Sequence, residues 1–164
     1  MKEPQRIARN TERLDECFPT FAERLKRVIA RLDKSGIRPR IQDAWRSPQD
    51  QLAAFNSGHS KLKFGFHNVT GAGGQKEALA VDLLDDDAPL EPPTSYILQL
   101  AAAASAEGLT TGVLWGLLKK LRDGAEAALA NKDFKAKVKV GWDHCHAEPV
   151  GLRPSDAKAG QRPT

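Results

Sequence analysis

An aspartate stands in the middle of an apolar run, Leu79-Ala80-Val81-Asp82-Leu83-Leu84, and nothing else in the chain constrains its fold as tightly. A short apolar run between polar segments reads as a buried strand. A carboxylate inside such a strand costs several kcal/mol unless it is paired, protonated or bound to a metal. The strand must therefore deliver Asp82 either to an arginine or a loop at its end, or to a metal ion shared with other ligands. The histidines bear on the second choice. His59, His67, His144 and His146 all fall in a glycine-rich loop or in the last predicted strand, and none falls in a predicted helix. A zinc ion engaged in hydrolysis takes about three protein ligands, imidazole or carboxylate, and keeps one position open for water. His67, Asp82 and either His144 or His146 form such a set. Their spacing is not a compact metal motif, and in a regular strand His144 and His146 point to the same side, so alternation does not choose between them.

The elements around these residues read as one α+β domain. Phe21, Leu25, Val28, Ile29 and Leu32 recur at helical spacing between positions 20 and 34, and Gly36 follows as a stop. Residues 37–45 alternate as a strand, which Pro39 confines to a sheet edge or to the strand's beginning. Ser47-Pro48-Gln49-Asp50 sets a capping hydroxyl, a proline and an acid at the start of a helix that Gly58 closes. Residues 58–77 are a polar, glycine-rich loop with a short strand expected near 64–67. A strand at 78–84, helices at 94–107 and 115–131 and a final strand at 137–148 complete the pattern. Trp115 and Trp142 are expected in the core. The tail from Arg153 to Thr164 has almost no apolar residues and is expected to be flexible.

Length and charge narrow the field further. A chain of 164 residues suits a single domain with a real core. No apolar run approaches the length of a membrane span, and the polar N-terminus lacks the apolar stretch of a secretory signal, so the expectation is a product made in the cytoplasm without membrane insertion. Cys17 and Cys145 are too few for a disulfide scaffold and read as free thiols. The net charge is +4, and the first fifty residues hold 12 basic and 8 acidic groups while the remainder holds 13 of each. The N-terminal arginines are interleaved with acids, the pattern of a solvated helix surface. No aromatic interleaving or known module accompanies them, so nucleic acid is not an expected partner.

Three blocks occur in order over residues 19–150: Trp45-Arg46-Ser47 with Gln51; His67-Asn68-Val69-Thr70-Gly71 leading to Ala80-Val81-Asp82; and Gly141-Trp142-Asp143-His144-Cys145-His146-Ala147-Glu148. Together they resemble the zinc D-alanyl-D-alanine carboxypeptidase and L-alanyl-D-glutamate endopeptidase family, which includes phage endolysins and vancomycin-resistance peptidases. The resemblance implies a small antiparallel sheet that carries one zinc ion and is flanked by helices, with the domain at 19–152 after an N-terminal extension at 1–18. It implies His67, Asp82 and His146 as zinc ligands, Asp143 as general base, and Arg46 as partner for the developing oxyanion or for a substrate carboxylate. Gln51 and Ser60 would contact substrate, though helix solvation and loop polarity explain them too. Glu148 would either orient a ligand or be an exposed strand-end acid.

Two features depart from the family pattern. Gly65 stands where the family usually has serine, and the glycine-rich stretch 71–77 lengthens the interval from His67 to Asp82. The implied substrate is a peptidoglycan stem peptide, cut at the L-Ala–D-Glu or the D-Ala–D-Ala bond by a monomer. Such an enzyme would reach the wall or periplasm through a holin or a secretion system. A non-catalytic module of the same fold, binding a cell-wall peptide or a protein around a structural zinc, is the alternative. Asp143 together with Arg46 separates the two, since a binder needs no base beside its metal.

Overall fold

The computed structural model describes residues Met1–Thr164 as one α+β domain. Four antiparallel strands, β1 (Pro39–Asp43), β2 (Val81–Asp85), β3 (Leu109–Gly112) and β4 (Asp143–Pro149), lie in the spatial order β1-β2-β4-β3. Six helices surround them: α1 (Glu3–Leu14), α2 (Pro19–Lys34), α3 (Pro48–Asn56), α4 (Thr94–Ala106), α5 (Lys119–Ala130) and α6 (Pro154–Lys158). None of these helices is long and apolar enough to cross a membrane.

The sheet has one covered face. Val81 and Leu83 of β2, Ile41 of β1 and Leu109 of β3 meet Phe21, Leu25 and Val28 of α2 and Tyr96 and Leu100 of α4 in a single apolar core. The Tyr96 hydroxyl donates to the Leu83 carbonyl at 2.8 Å, which fixes α4 across the middle strand. Alternation then sends Asp82 to the other face, where it is only partly buried. The apolar run of β2 thus serves the core with every second residue and leaves the carboxylate free for other work.

Pro39 opens β1, and β1 is an edge strand. Its free edge is closed by α1, through side chains that act as a neighbouring strand would. Asn10 accepts from the Ile41 N–H at 2.8 Å and donates to the Pro39 carbonyl at 3.0 Å. Arg6 also donates to that carbonyl, at 2.7 Å, and Arg9 reaches the Ile41 and Gln42 carbonyls. Unpaired strand edges are otherwise sites of aggregation. The first eighteen residues, set apart in the sequence as an extension, are therefore packed onto the sheet.

Several expected elements differ in the structure. Residues 64–67 form no strand; Phe66–Asn68 is a turn of 3-10 helix whose Phe66 is buried. The helix expected from 115 begins only at Lys119, because Gly116 takes a φ of +75°, which no α-helix holds. The last strand begins at Asp143, since residues 137–142 find no strand partner, and β3 arises where no strand was expected. The last twelve residues carry α6, and beyond it Arg162 pairs with Glu77 at 2.6 Å and the Thr20 hydroxyl donates to the Pro163 carbonyl.

Candidate metal centre

The site lies on the face of the sheet opposite the core. Asp82 of β2 is in register with His146 of β4 on one side and with Asp43 of β1 on the other, so the three side chains form a row across the strands. His67 comes to the row from the loop before β2. The turn that bears it is held by the Arg46 N–H donating to the His67 carbonyl (2.8 Å) and by the Asn68 side chain donating to the Arg46 carbonyl (2.9 Å). The added stretch after Thr70 folds back on itself, with Thr70 bridged to Lys76, and projects outward without displacing β2.

His67, Asp82 and His146 each turn one ligand atom inward, all within 4.8 Å of one another. Asp82 Oδ1 stands 3.7 Å from His67 Nε2 and 3.4 Å from His146 Nδ1. These separations are longer than ordinary hydrogen bonds. They match a shared ion, because bonds of about 2.0–2.2 Å in a tetrahedron place ligand atoms about 3.3–3.6 Å apart. The far side of each ring is engaged as ligation requires. His67 Nδ1–H donates to the Ala44 carbonyl (2.5 Å) and His146 Nε2–H to Glu148 (2.8 Å), so the inward nitrogens are the ones that carry the lone pairs when the rings are neutral. No fourth histidine, cysteine or carboxylate completes the group, and the Asp82 side chain keeps 28% of its surface exposed, so one coordination position faces solvent. The donor set therefore fits a divalent ion of the zinc type in an open site.

His144 stays outside the group, its Nδ1 bonded to the Gly141 carbonyl. The register separates it from His146: Thr111 of β3 faces Ala147, yet the next residue, Gly112, faces Asp143, so β4 bulges over the intervening positions. His59 bonds Ser57 in the exposed loop and takes no part. Asp143 sits at the rim, with Oδ2 3.9 Å from His146 Nδ1 and its side chain about one third exposed (34%). Its position depends on two glycines. A side chain on Gly112 would collide with the Asp143 carbonyl, and one on Gly141 with the Gly112 carbonyl and the backbone of Trp115.

Arg46 lies beside the row. Nη2 pairs with Asp43 at 2.7 Å and Nη1 donates to Gln51 Oε1 at 3.0 Å. Gln51 is buried and passes the chain on, donating to Ser60 Oγ (2.8 Å) and to the Leu62 carbonyl (2.5 Å). Arg46, Gln51 and Ser60 are thus one hydrogen-bonded unit. Asp43, its anchor, was not singled out in the sequence; a strand-end acid carries no pattern of its own. Trp115 was expected in the core and instead lies partly exposed with its ring 5.4 Å from that of His146, while Trp142, also expected in the core, is 72% exposed. The loop that replaces the first turn of the expected helix brings Trp115 to His146, and Trp142 leans on Trp115.

The electrostatics follow from this packing. Burial opposes the charge on Asp82, but the imidazoles of His146 and His67 outweigh it and hold the carboxyl well below the usual carboxylate range. Burial likewise opposes charge on His146, and the carboxylates of Asp82 and Glu148 overcome it, raising the ring to about 9. Burial raises Asp143 above its ordinary value, with the Asp82 charge adding and His146 opposing. Cys145 faces the core, and burial, helped by Asp82, pushes its thiol up to about 12, which leaves it unreactive.

Fold and site together define a class: an α+β domain whose four-stranded antiparallel sheet carries a two-histidine, one-aspartate group that could hold a metal ion. No family model and no curated protein matches the chain. Among solved structures, the crystal structure of the Serratia marcescens L-Ala D-Glu endopeptidase ChiX is similar to it, with a TM-score of 0.55 over 87% of each chain at 18% identity. At that identity the likeness is one of fold.

Proposed function

We propose that this chain is a zinc-dependent peptidase that hydrolyses the stem peptide of peptidoglycan at its L-Ala–D-Glu bond. The observation that carries the reading is the open group of His67, Asp82 and His146 with Asp143 at its rim. The similar structure of an L-Ala D-Glu endopeptidase supports the choice of substrate and bond. His67 Nε2, Asp82 Oδ1 and His146 Nδ1 would hold the ion. When bound, zinc brings the pKa of water towards neutrality and polarises a carbonyl. Asp143 takes the proton of the attacking water and returns it to the leaving amine, the task of a positioned carboxylate. Arg46, gripped by Asp43 and Gln51, keeps further N–H donors free for the developing oxyanion or for a substrate carboxylate. Gln51 and Ser60 fix the pose of that guanidinium and line the substrate side. Glu148 holds His146 in the tautomer that ligates.

The test is digestion of purified sacculi by the zinc-loaded protein, with the released peptides identified by mass spectrometry. Fragments beginning at D-Glu are expected; loss of terminal D-Ala alone would assign the carboxypeptidase reaction instead. EDTA should abolish release and added zinc restore it. Asp143→Asn should keep about one zinc per chain and lose activity by roughly 100-fold or more. Wild-type cleavage by that variant would refute the mechanism, and zinc binding without cleavage of any stem peptide would identify a binding module.

A further inference from the structure

We propose that the lysine-bearing segment before β4, ending in the exposed Trp142, is a docking track that holds polymeric peptidoglycan beside the metal centre. The inference rests on the reading of that centre as a stem-peptide hydrolase and adds how the polymer is gripped. Charge leads to it. Positions 119–140 hold seven basic residues against three acidic ones, a surplus as large as that of the whole chain. The only ion pair along this stretch joins Lys119 to Asp123. The N-terminal arginines, where counting along the chain places the surplus, are by contrast engaged: Arg6 with Glu3 and Asp33, Arg27 and Arg31 with Glu107, Arg38 and Arg40 with Asp86. The unpaired cations of the molecule are concentrated after residue 50, in the part of the chain whose count is balanced.

Their exposure follows a pattern. Lys135, Lys137 and Lys139 are exposed, while Ala136, Val138 and Val140 between them pack against the core, and Val138 lies against Gly124 of α5. The alternation of exposed and part-buried positions leaves the three lysines facing solvent while the residues between them turn inward. Three residues beyond Lys139 comes Trp142, whose ring lies over Gly116 and meets that of Trp115 at a tilt, centroids 6.0 Å apart. From Trp115 the file of rings continues to His146 (5.4 Å) and His67 (5.3 Å). The exposed lysines are therefore followed along the chain by an exposed indole, from which a file of rings reaches the centre.

The ligand that suits this sequence of surfaces presents carboxylates in series along a chain of rings with apolar faces. A glycan strand bearing stem peptides does so, each stem carrying free carboxylates, and its scissile bond must come to the metal in any case. A single-stranded nucleic acid would call for aromatics interleaved with the cations; here one indole stands at the end of the row.

The experiment is co-sedimentation of the full-length protein with purified sacculi, in the Asp143→Asn background so that the polymer is not consumed. The variant K135Q/K137Q/K139Q is compared with K2Q/K26Q/K34Q, which removes the same charge elsewhere. At about twofold per exposed cation, the track variant should bind about eightfold more weakly at low salt, and the difference should vanish by about 0.5 M NaCl, where screening is short-ranged. The control variant should bind like the parent. Trp142→Ala should weaken the binding that persists at high salt. Equal binding by the two triple variants overturns the proposal, and so does a track variant that loses retention on DNA but keeps its hold on sacculi. Because binding is read without turnover, lysine-dependent binding by a wild-type chain that cleaves nothing would sink the peptidase reading and leave the track standing; cleavage without lysine dependence would do the reverse.

Discussion

Replacing Glu148 by glutamine separates the two roles open to this acid, ligand orientation or strand-end exposure. Glu148 accepts the His146 Nε2–H at 2.8 Å and its side chain is only 20% exposed, so it fixes the tautomer that directs Nδ1 at Asp82 and the ion. Removing such a partner costs about 10–100-fold in metal affinity. A second effect opposes it. Without metal, Asp82 and Glu148 raise His146 to about 9, so at pH 7 a bound ion must displace a proton, a penalty of about 100-fold at two units below that pKa. The sign is that of a raised histidine: the ion pairs of the protonated ring contribute fully below its ordinary value of 6.5 and fade as pH rises through about 9, while zinc affinity climbs over the same window. Glu148→Gln removes one of the two anions, so its break falls at lower pH and its proton penalty at pH 7 is smaller. Competition with a chromophoric chelator should therefore show the variant weaker by about 10–100-fold near pH 9, with a narrower gap at pH 7. Equal affinities at pH 9, or a wider gap at pH 7 than at pH 9, would refute the reasoning and return Glu148 to the role of an exposed acid.

Two further substitutions probe how the site is held. Asn10→Ala leaves the buried Ile41 N–H without an acceptor, and urea unfolding should show a loss of about 1–3 kcal/mol; a change under about 0.5 kcal/mol would mean that water closes the β1 edge as well as α1 does. Gly112→Ala drives a Cβ into the Asp143 carbonyl, and a displacement of this proposed base by about 1 Å should lower muropeptide cleavage by roughly 100-fold while zinc stoichiometry holds; full activity would show that the rim tolerates the shift.

Much of the framework is legible in the sequence because local rules govern it. Ser47 accepts from the Asp50 N–H at 3.0 Å, as its place before Pro48 predicts, and Pro39 begins an edge strand. The periodicity of Phe21, Leu25, Val28 and Leu32 gives α2 directly. Elements set by distant partners are not legible. β3 is short, and its Leu109-Thr110-Thr111-Gly112 becomes a strand only through pairing with β4. The site divides in the same way. Asp82 announces itself as a charge in an apolar run, but the preference for His146 over His144 depends on a bulge against β3 that breaks the regular alternation. Arg46 and Gln51 carry a motif; Asp43, which anchors Arg46, acquires its place from the register of β1 against β2.

The helix least visible to hydrophobic patterning is the one that ties these parts together. The buried positions of α1 are Arg6, Asn10 and Leu14, spaced four apart as a core face would be, yet two are polar, because the surface they cover is the bare backbone of an edge strand. An apolar stripe there would leave the Pro39 carbonyl and the Ile41 N–H unsatisfied. The strand so protected ends in Asp43, Asp43 grips Arg46, and Ala44 accepts from the ring of His67. The basic residues of α1 thus answer a need of the sheet for donors, and through β1 they help set both the guanidinium and one imidazole of the centre. Residues 1–18 pack as part of the sheet that carries the candidate site.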